Sequence, residues 1–161
     1  MKKLNLFLAI MMIGTLVFAQ NEREFEKKPV HEIGIAGGFT TGVGLSYRYW
    51  PEKVGIQTTF LPVVTPSYSF YSIGLTGLYK FREGEYSSFF GYLSNSLFLT
   101  KYEYSDFEED FEYLYSIGVG PGFSLGYDTA IINVMGGYAL YYVDGDIALL
   151  PTVEAGIYYR F

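Results

Sequence analysis

The chain has 161 residues and a formal net charge of −6; 50% of it is hydrophobic and 20% aromatic. That length allows one domain rather than two. The acidic balance disfavours nucleic acid as a partner, because a phosphate backbone would be repelled. The absence of cysteine excludes a disulfide framework, a thiolate metal site and a lipid-anchored N-terminal cysteine.

Lys2 and Lys3 lead into an apolar run over residues 4–18, and Val17-Phe18-Ala19 supplies the small residue of a signal-peptidase site. The run is shorter than the ~20 residues a spanning helix needs. Residues 1–19 therefore read as a signal peptide cut between Ala19 and Gln20. Residues 20–29 are charged and without periodicity, which fits a short periplasmic lead before the first strand.

From residue 30 onward, large apolar or aromatic residues alternate with small or polar ones, and no apolar run reaches the length of a spanning helix. The alternation predicts strands near 30–40, 43–50, 54–63, 70–81, 88–101, 113–127, 131–143 and 147–161. In the 113–127 segment, Tyr113, Tyr115, Ile117, Val119, Pro121, Phe123 and Leu125 share one face, while Ser116, Gly118, Gly120, Gly122, Ser124 and Gly126 share the other. The 147–161 segment repeats the pattern, with its charges on the small-residue face. The 88–101 segment fits less well, since a register that sends Leu93 and Leu97 to the apolar face sends Asn95 there too, and a bulge or the opposite register is open.

Alternation alone does not separate a water-soluble barrel from a membrane barrel. Side-chain size does: a face of Gly, Ser and Thr suits the narrow lumen of an eight-stranded barrel, whereas the Tyr, Phe, Ile and Leu face is too bulky for it. The expected fold is all-β, an eight-stranded antiparallel up-and-down transmembrane β-barrel over residues 30–161. Even-numbered strands end in aromatic clusters at 47–50, 78–81, 125–127 and 157–161, which read as one periplasmic girdle. The abundance of Tyr (17) over Phe (14) agrees with rings that meet water at one end.

On this reading Glu32, Arg48, Lys80, Glu154 and Arg160 fall on the lumen face, where opposite charges can pair and plug the interior. An eight-stranded lumen has room for side chains rather than an open aqueous channel. The segment 102–113 reads as the longest outer loop and carries Glu103, Asp106, Glu108, Glu109, Asp110 and Glu112. Such a cluster serves as a solvated loop, as a contact for a basic partner, or as oxygen ligands for a cation, although the spacing and central Gly of an EF-hand are absent. His31, the one histidine, opens the first strand at the periplasmic end, and Ser94 and Ser96 have no base near them in the pattern. No catalytic set, metal site or cofactor is expected.

The final Ile157-Tyr158-Tyr159-Arg160-Phe161, with alternate aromatics and Phe161 last, resembles the signal read by the barrel-assembly machinery. Together with Gly37-Gly38-Phe39-Thr40-Thr41-Gly42 and Leu45-Ser46-Tyr47-Arg48-Tyr49-Trp50-Pro51, it makes the chain similar to small outer-membrane β-barrel proteins of the Bacteroidetes type, built like the OmpA and OmpX barrels. The resemblance implies a Gram-negative outer membrane, contact with its lipid, and Tyr159 and Phe161 as assembly signals; it brings no catalytic residues. The expected function is a non-enzymatic structural or surface-interaction role, with 102–113 as the contact region for a surface protein. The alternatives are an accessory component of outer-membrane secretion or transport that acts through a protein partner, and an outer-membrane lipid-modifying enzyme.

Overall fold

The computed structural model describes residues 29–102, 110–127, 129–143 and 146–161. Eight antiparallel strands follow one another and close on themselves. They are β1 (Val30–Gly37), β2 (Gly44–Trp50), β3 (Val54–Thr65), β4 (Tyr68–Glu83), β5 (Ser87–Tyr102), β6 (Asp110–Tyr127), β7 (Ala130–Val143) and β8 (Asp146–Arg160). Each pairs with its chain neighbours, and β1 pairs with β8 from Glu32↔Arg160 to Gly37↔Ala155. The fold is an eight-stranded up-and-down β-barrel. Residues 1–28, with the signal-peptide reading and its cut at Ala19 and Gln20, lie outside the described residues.

The ends of the barrel differ. At the terminal end, where Val30 and Arg160 lie, the turns at 51–53 and 84–86 are short, and Phe161 N donates to His31 O at 3.0 Å. At the opposite, far end lie the β1–β2 connection, the turn at 66–67, and the tips of β5–β6 and β7–β8.

Because the side-chain period of a strand is two, each strand sends one set of residues into the lumen and the other outward. The outward set is apolar nearly all the way round: Ile35 on β1, Leu45 on β2, Phe60 on β3, Ile73 on β4, Leu93 on β5, Val119 on β6, Val134 on β7 and Val153 on β8 are all exposed. Val153 is 72% exposed, and in water each such side chain would forgo roughly 1.5–3 kcal/mol of burial. β5 keeps Leu93 and Asn95 outward and Ser94 and Ser96 inward, and the register irregularity lies in its partner β4, between Lys80 and Arg82.

Three expectations are corrected. First, β1 ends at Gly37 rather than near residue 40, because the chain then turns into the lumen, helped by Gly42 and Gly44 at φ 79° and 132°. Second, the 102–113 segment is shorter as a loop, since β6 begins at Asp110 and the ladder continues through Thr100↔Glu112 and Tyr102↔Asp110. Third, the aromatic strand ends do not all form an outer girdle. Trp50, Leu78 and Tyr158 are buried inside, with Phe90, Tyr92 and Met135.

The lumen accepts these bulky residues because glycines face them. A methyl group at Gly55 would overlap the Trp50 indole, one at Gly122 would overlap Phe90 and Met135, and one at Gly156 would overlap Tyr158. Size is balanced across neighbouring strands for Trp50 and Phe90, and along β8 for Tyr158, where Gly156 makes the room.

Candidate functional site

The sequence singles out five lumen charges, and they fall into separate groups. Near the terminal end, cross-strand pairing brings Glu32 of β1 beside both Arg48 of β2 and Arg160 of β8. Arg160 donates to Glu32 Oε1 through Nη2 at 2.7 Å and Nε at 3.1 Å. Arg48 Nη1 is 3.8 Å from Glu32 Oε2. Arg48 is 0% exposed: its Nε donates to Gln57 Oε1 at 2.7 Å, and its guanidinium lies 4.0 Å from the Tyr158 ring centroid and 5.8 Å from that of Phe90. A planar, weakly hydrated cation tolerates aromatic walls better than an ammonium does. Its Nη1 and Nη2 nonetheless find no hydrogen-bond partner, so the cation depends on Glu32 for charge balance.

Lys80 does not join this group. Its Nζ donates to Glu83 Oε1 at 2.9 Å and sits 4.6 Å from the Trp50 ring centroid.

Glu154 is also separate, and among the described residues no cation pairs with it. Its carboxylate anchors the inward-folded segment 38–43. Thr40 N and Oγ1 donate to Oε1 at 3.1 and 2.6 Å, Thr152 Oγ1 donates to Oε1 at 2.7 Å, and Thr41 N and Oγ1 donate to Oε2 at 3.3 and 2.6 Å. Five donors on one buried carboxylate replace its lost hydration. Serines complete the seat: Ser96 and Ser116 donate to Phe39 O, each at 2.6 Å, Ser94 donates to Thr40 Oγ1 at 2.9 Å, and Val43 N donates to Ser72 Oγ at 2.8 Å. The segment is thus a polar plug across the lumen, contacted by β4, β5, β6 and β8. Gly38 and Gly118 are required by its closeness, since a methyl group on either would overlap Glu154 or Thr40.

Sequence reasoning missed this plug. Its one local signal is the Gly37-Gly38 pair with Gly42 and Gly44 bracketing two threonines; the inward fold is set by Glu154, far along the chain.

Beyond the plug, at the far end, lies a cavity of about 650 Å³ lined by Phe39, Phe70, Phe98, Thr100, Glu112 and Leu114 among others. Glu112 is a β6 residue at this cavity, whereas Glu103, Asp106, Glu108 and Glu109 lie outside the described residues; Asp110 is the first residue of β6. His31 is at the terminal end, with Nδ1 2.6 Å from Tyr47 Oη and its ring among Tyr49 and Phe161. Tyr159 and Phe161 are exposed on the outward face, their ring centroids 6.4 Å apart. Among the described residues no group of His, Asp and Glu is arranged to hold a metal ion.

No protein-family model matches the chain, and no curated protein sequence matches it. The fold, however, is similar to solved barrels. The N-terminal β-barrel domain of Pseudomonas aeruginosa OprF matches with a TM-score of 0.54 at 13% identity, over 83% of this chain and 96% of that one. Ail, the attachment invasion locus protein of Yersinia pestis, matches with a TM-score of 0.54 at 18% identity, over 85% of this chain and 100% of that one. Ail in complex with the heparin analogue sucrose octasulfate matches with a TM-score of 0.52 at 20% identity. At such identities the likeness is one of fold, that of the small outer-membrane β-barrels.

Proposed function

We propose that the chain is an outer-membrane β-barrel with a sealed lumen and no catalytic role, which works through contacts made at its far end, facing out of the cell. The observation that carries this reading is the pairing of an outward apolar belt with a plugged interior. A belt of this extent exceeds the apolar patches that soluble monomers expose, whereas lipid tails solvate it at no cost. Among the described residues the Glu32–Arg48–Arg160 group, the aromatic cluster and the plug occupy the lumen in turn, as a barrel that works at its surface rather than through its interior would have them.

On this reading residues 1–19 are the signal peptide, residues 20–29 a periplasmic lead, and the short turns at 51–53 and 84–86 lie in the periplasm. Tyr159 and Phe161 then serve the barrel-assembly machinery, and the Bacteroidetes type rests on the sequence resemblance. A catalytic role has little support: His31 is engaged with Tyr47 at the terminal end, and the Ser94 and Ser96 hydroxyls hold the plug.

Glu112 and Asp146 lie at the far end, and the sequence from β5 into β6 adds Glu103, Asp106, Glu108, Glu109 and Asp110. Sucrose octasulfate, the ligand crystallised with Ail, is a polyanion, and these acids would repel such a molecule. A basic protein surface is the complementary partner here.

The test is gel mobility of the protein extracted from the outer-membrane fraction, unheated against boiled. A closed barrel resists SDS until heated, so a heat-dependent shift in that fraction is expected. Recovery from the soluble periplasm with no shift would overturn the reading.

A further inference from the structure

The β1–β2 hairpin is lower than its neighbours. β1 last pairs with β8 at Gly37↔Ala155, and β2 first pairs with β3 at Leu45↔Phe60. The β7–β8 ladder continues to Val143↔Asp146, and the β3–β4 ladder to Thr65↔Tyr68. Residues 146–154 of β8 and 61–65 of β3 are therefore laddered on one side only, and no described residue pairs with their other edge. The wall of the barrel is complete in its terminal half and notched in its far half.

The notch opens onto the cavity beyond the plug. Phe39, Phe70, Phe98 and Leu114 give that cavity an apolar lining, with Thr100 and Glu112 as its polar positions. Leu150 has the parity of the lumen-facing Thr152 and Glu154, yet it is 51% exposed. Two unmet demands coincide here: strand edges without a paired neighbour, and the apolar side chains of Phe39 and Leu150, each more than half exposed.

We propose that the notch takes an extended basic peptide segment, which adds a strand to the free edge of β8 and seats its alternate apolar side chains in the cavity. A strand meets both demands, because its backbone pairs with the edge while its period of two turns every other side chain inward. A hydrocarbon chain would cover the apolar lining but make no hydrogen bonds to the edge N–H and C=O groups, which a strand pairs directly. The charge distribution selects the sign of the peptide. Glu112 and Asp146 lie at this end, whereas Arg48, Lys53, Lys80, Arg82 and Arg160 lie toward the terminal end, leaving Lys101 as the far-end cation among the described residues. A second copy of this chain paired edge to edge through β8 would bring like acids together. The inference deepens the surface-contact reading above and rests on it, by naming where the contact is made and by what chemistry.

The experiment uses the purified full chain, folded in lipid nanodiscs, and a fluorescent ten-residue probe peptide that alternates Val with Thr and carries Lys at both ends. Anisotropy titration should give saturable binding. The same peptide N-methylated along its backbone should bind at least about tenfold more weakly, since its methylated amides no longer donate to the β8 edge. The pair Glu112→Gln with Asp146→Asn should weaken binding several-fold and flatten its salt dependence. The proposal is overturned if the unmodified peptide does not bind or if the N-methylated peptide binds equally. It is also overturned if a decyl-ammonium surfactant occupies the site without competing with the peptide, or if the chain alone dimerises with protection of β8 edge amides. Heat-dependent gel mobility of the same sample reports the barrel, so absence of peptide binding in a sample that shifts refutes this inference and leaves the fold reading standing.

Discussion

Glu154→Gln tests whether one carboxylate holds the lumen plug. The best placement of the new amide keeps its oxygen at the Oε1 position, where Thr40 N, Thr40 Oγ1 and Thr152 Oγ1 still donate. Its NH₂ then replaces Oε2 and meets Thr41 N, donor against donor, at a site where the wild-type bond is 3.3 Å, while the Thr41 hydroxyl must turn to accept. One backbone bond is lost and the others lose their charge assistance, partly offset by the lower desolvation cost of a neutral group. The net weakening of the plug is about 2–3 kcal/mol, or roughly 30–150-fold in its local opening equilibrium. Hydrogen exchange read at the Thr40 and Thr41 amides should accelerate by that factor, while β4–β5 amides near Ser72 and Ser94 stay protected and the heat-dependent gel shift persists. Planar-bilayer recordings should show no new conductance, because Arg48, Phe90, Met135 and Tyr158 still fill the terminal half of the lumen. Unchanged exchange at Thr40 and Thr41 would refute the assignment of Glu154 as the anchor.

Three further outcomes follow from the lumen and the belt. Glu32→Gln leaves Arg48 and Arg160 facing each other without a counter-charge and should cost about 3–5 kcal/mol in urea unfolding from lipid vesicles. Arg48→Met leaves the Glu32–Arg160 pair intact and should change stability by less than about 1.5 kcal/mol; equal costs for the two would dismiss the charge-balance argument. Val119→Arg, on the outward face of β6, should destabilise the lipid-embedded barrel by about 2–4 kcal/mol, whereas a neutral or more soluble variant would mean that this face meets water. Gly122→Ala drives a methyl group into Phe90 and Met135 and should lower the temperature of the gel-mobility transition, at a cost of about 1–3 kcal/mol. Its paired variant Gly122→Ala with Phe90→Leu should recover part of that loss, and failure to do so would argue against the size balance between neighbouring strands.

The strands were legible in the sequence because one face of each is apolar and the period of two admits few alternatives, even across β5, where Asn95 stays outward. What the sequence reading lost, it lost by weighing size above parity. Trp50 lies two residues beyond Arg48, and Tyr158 lies midway between Gly156 and Arg160, so strand geometry sends both rings to the same side as the charges. Bulk argues against that only if each strand must fill the lumen alone. The glycines that make room, Gly55 beside Trp50 and Gly122 beside Phe90, stand on other strands, where a single-sequence pattern shows only small residues.

The same non-locality hides the plug. Glycines around Thr40 and Thr41 announce a turn, but a turn toward solvent and a turn into the lumen look alike until Glu154 supplies the acceptors. Glu154 in turn looks like one more interior charge awaiting a cation, because sequence offers no view of hydroxyl and amide donors arriving from a connection over a hundred residues away. Charges that pair along a ladder, such as Glu32 with Arg48 and Arg160, can be anticipated once register is known. Charges satisfied by an inserted loop cannot, since the loop's position is itself a consequence of the charge. That dependence makes the plug removable in principle without unfolding the barrel: its anchors are side chains, whereas the wall around the terminal half is held by backbone ladders that no substitution at residue 154 disturbs.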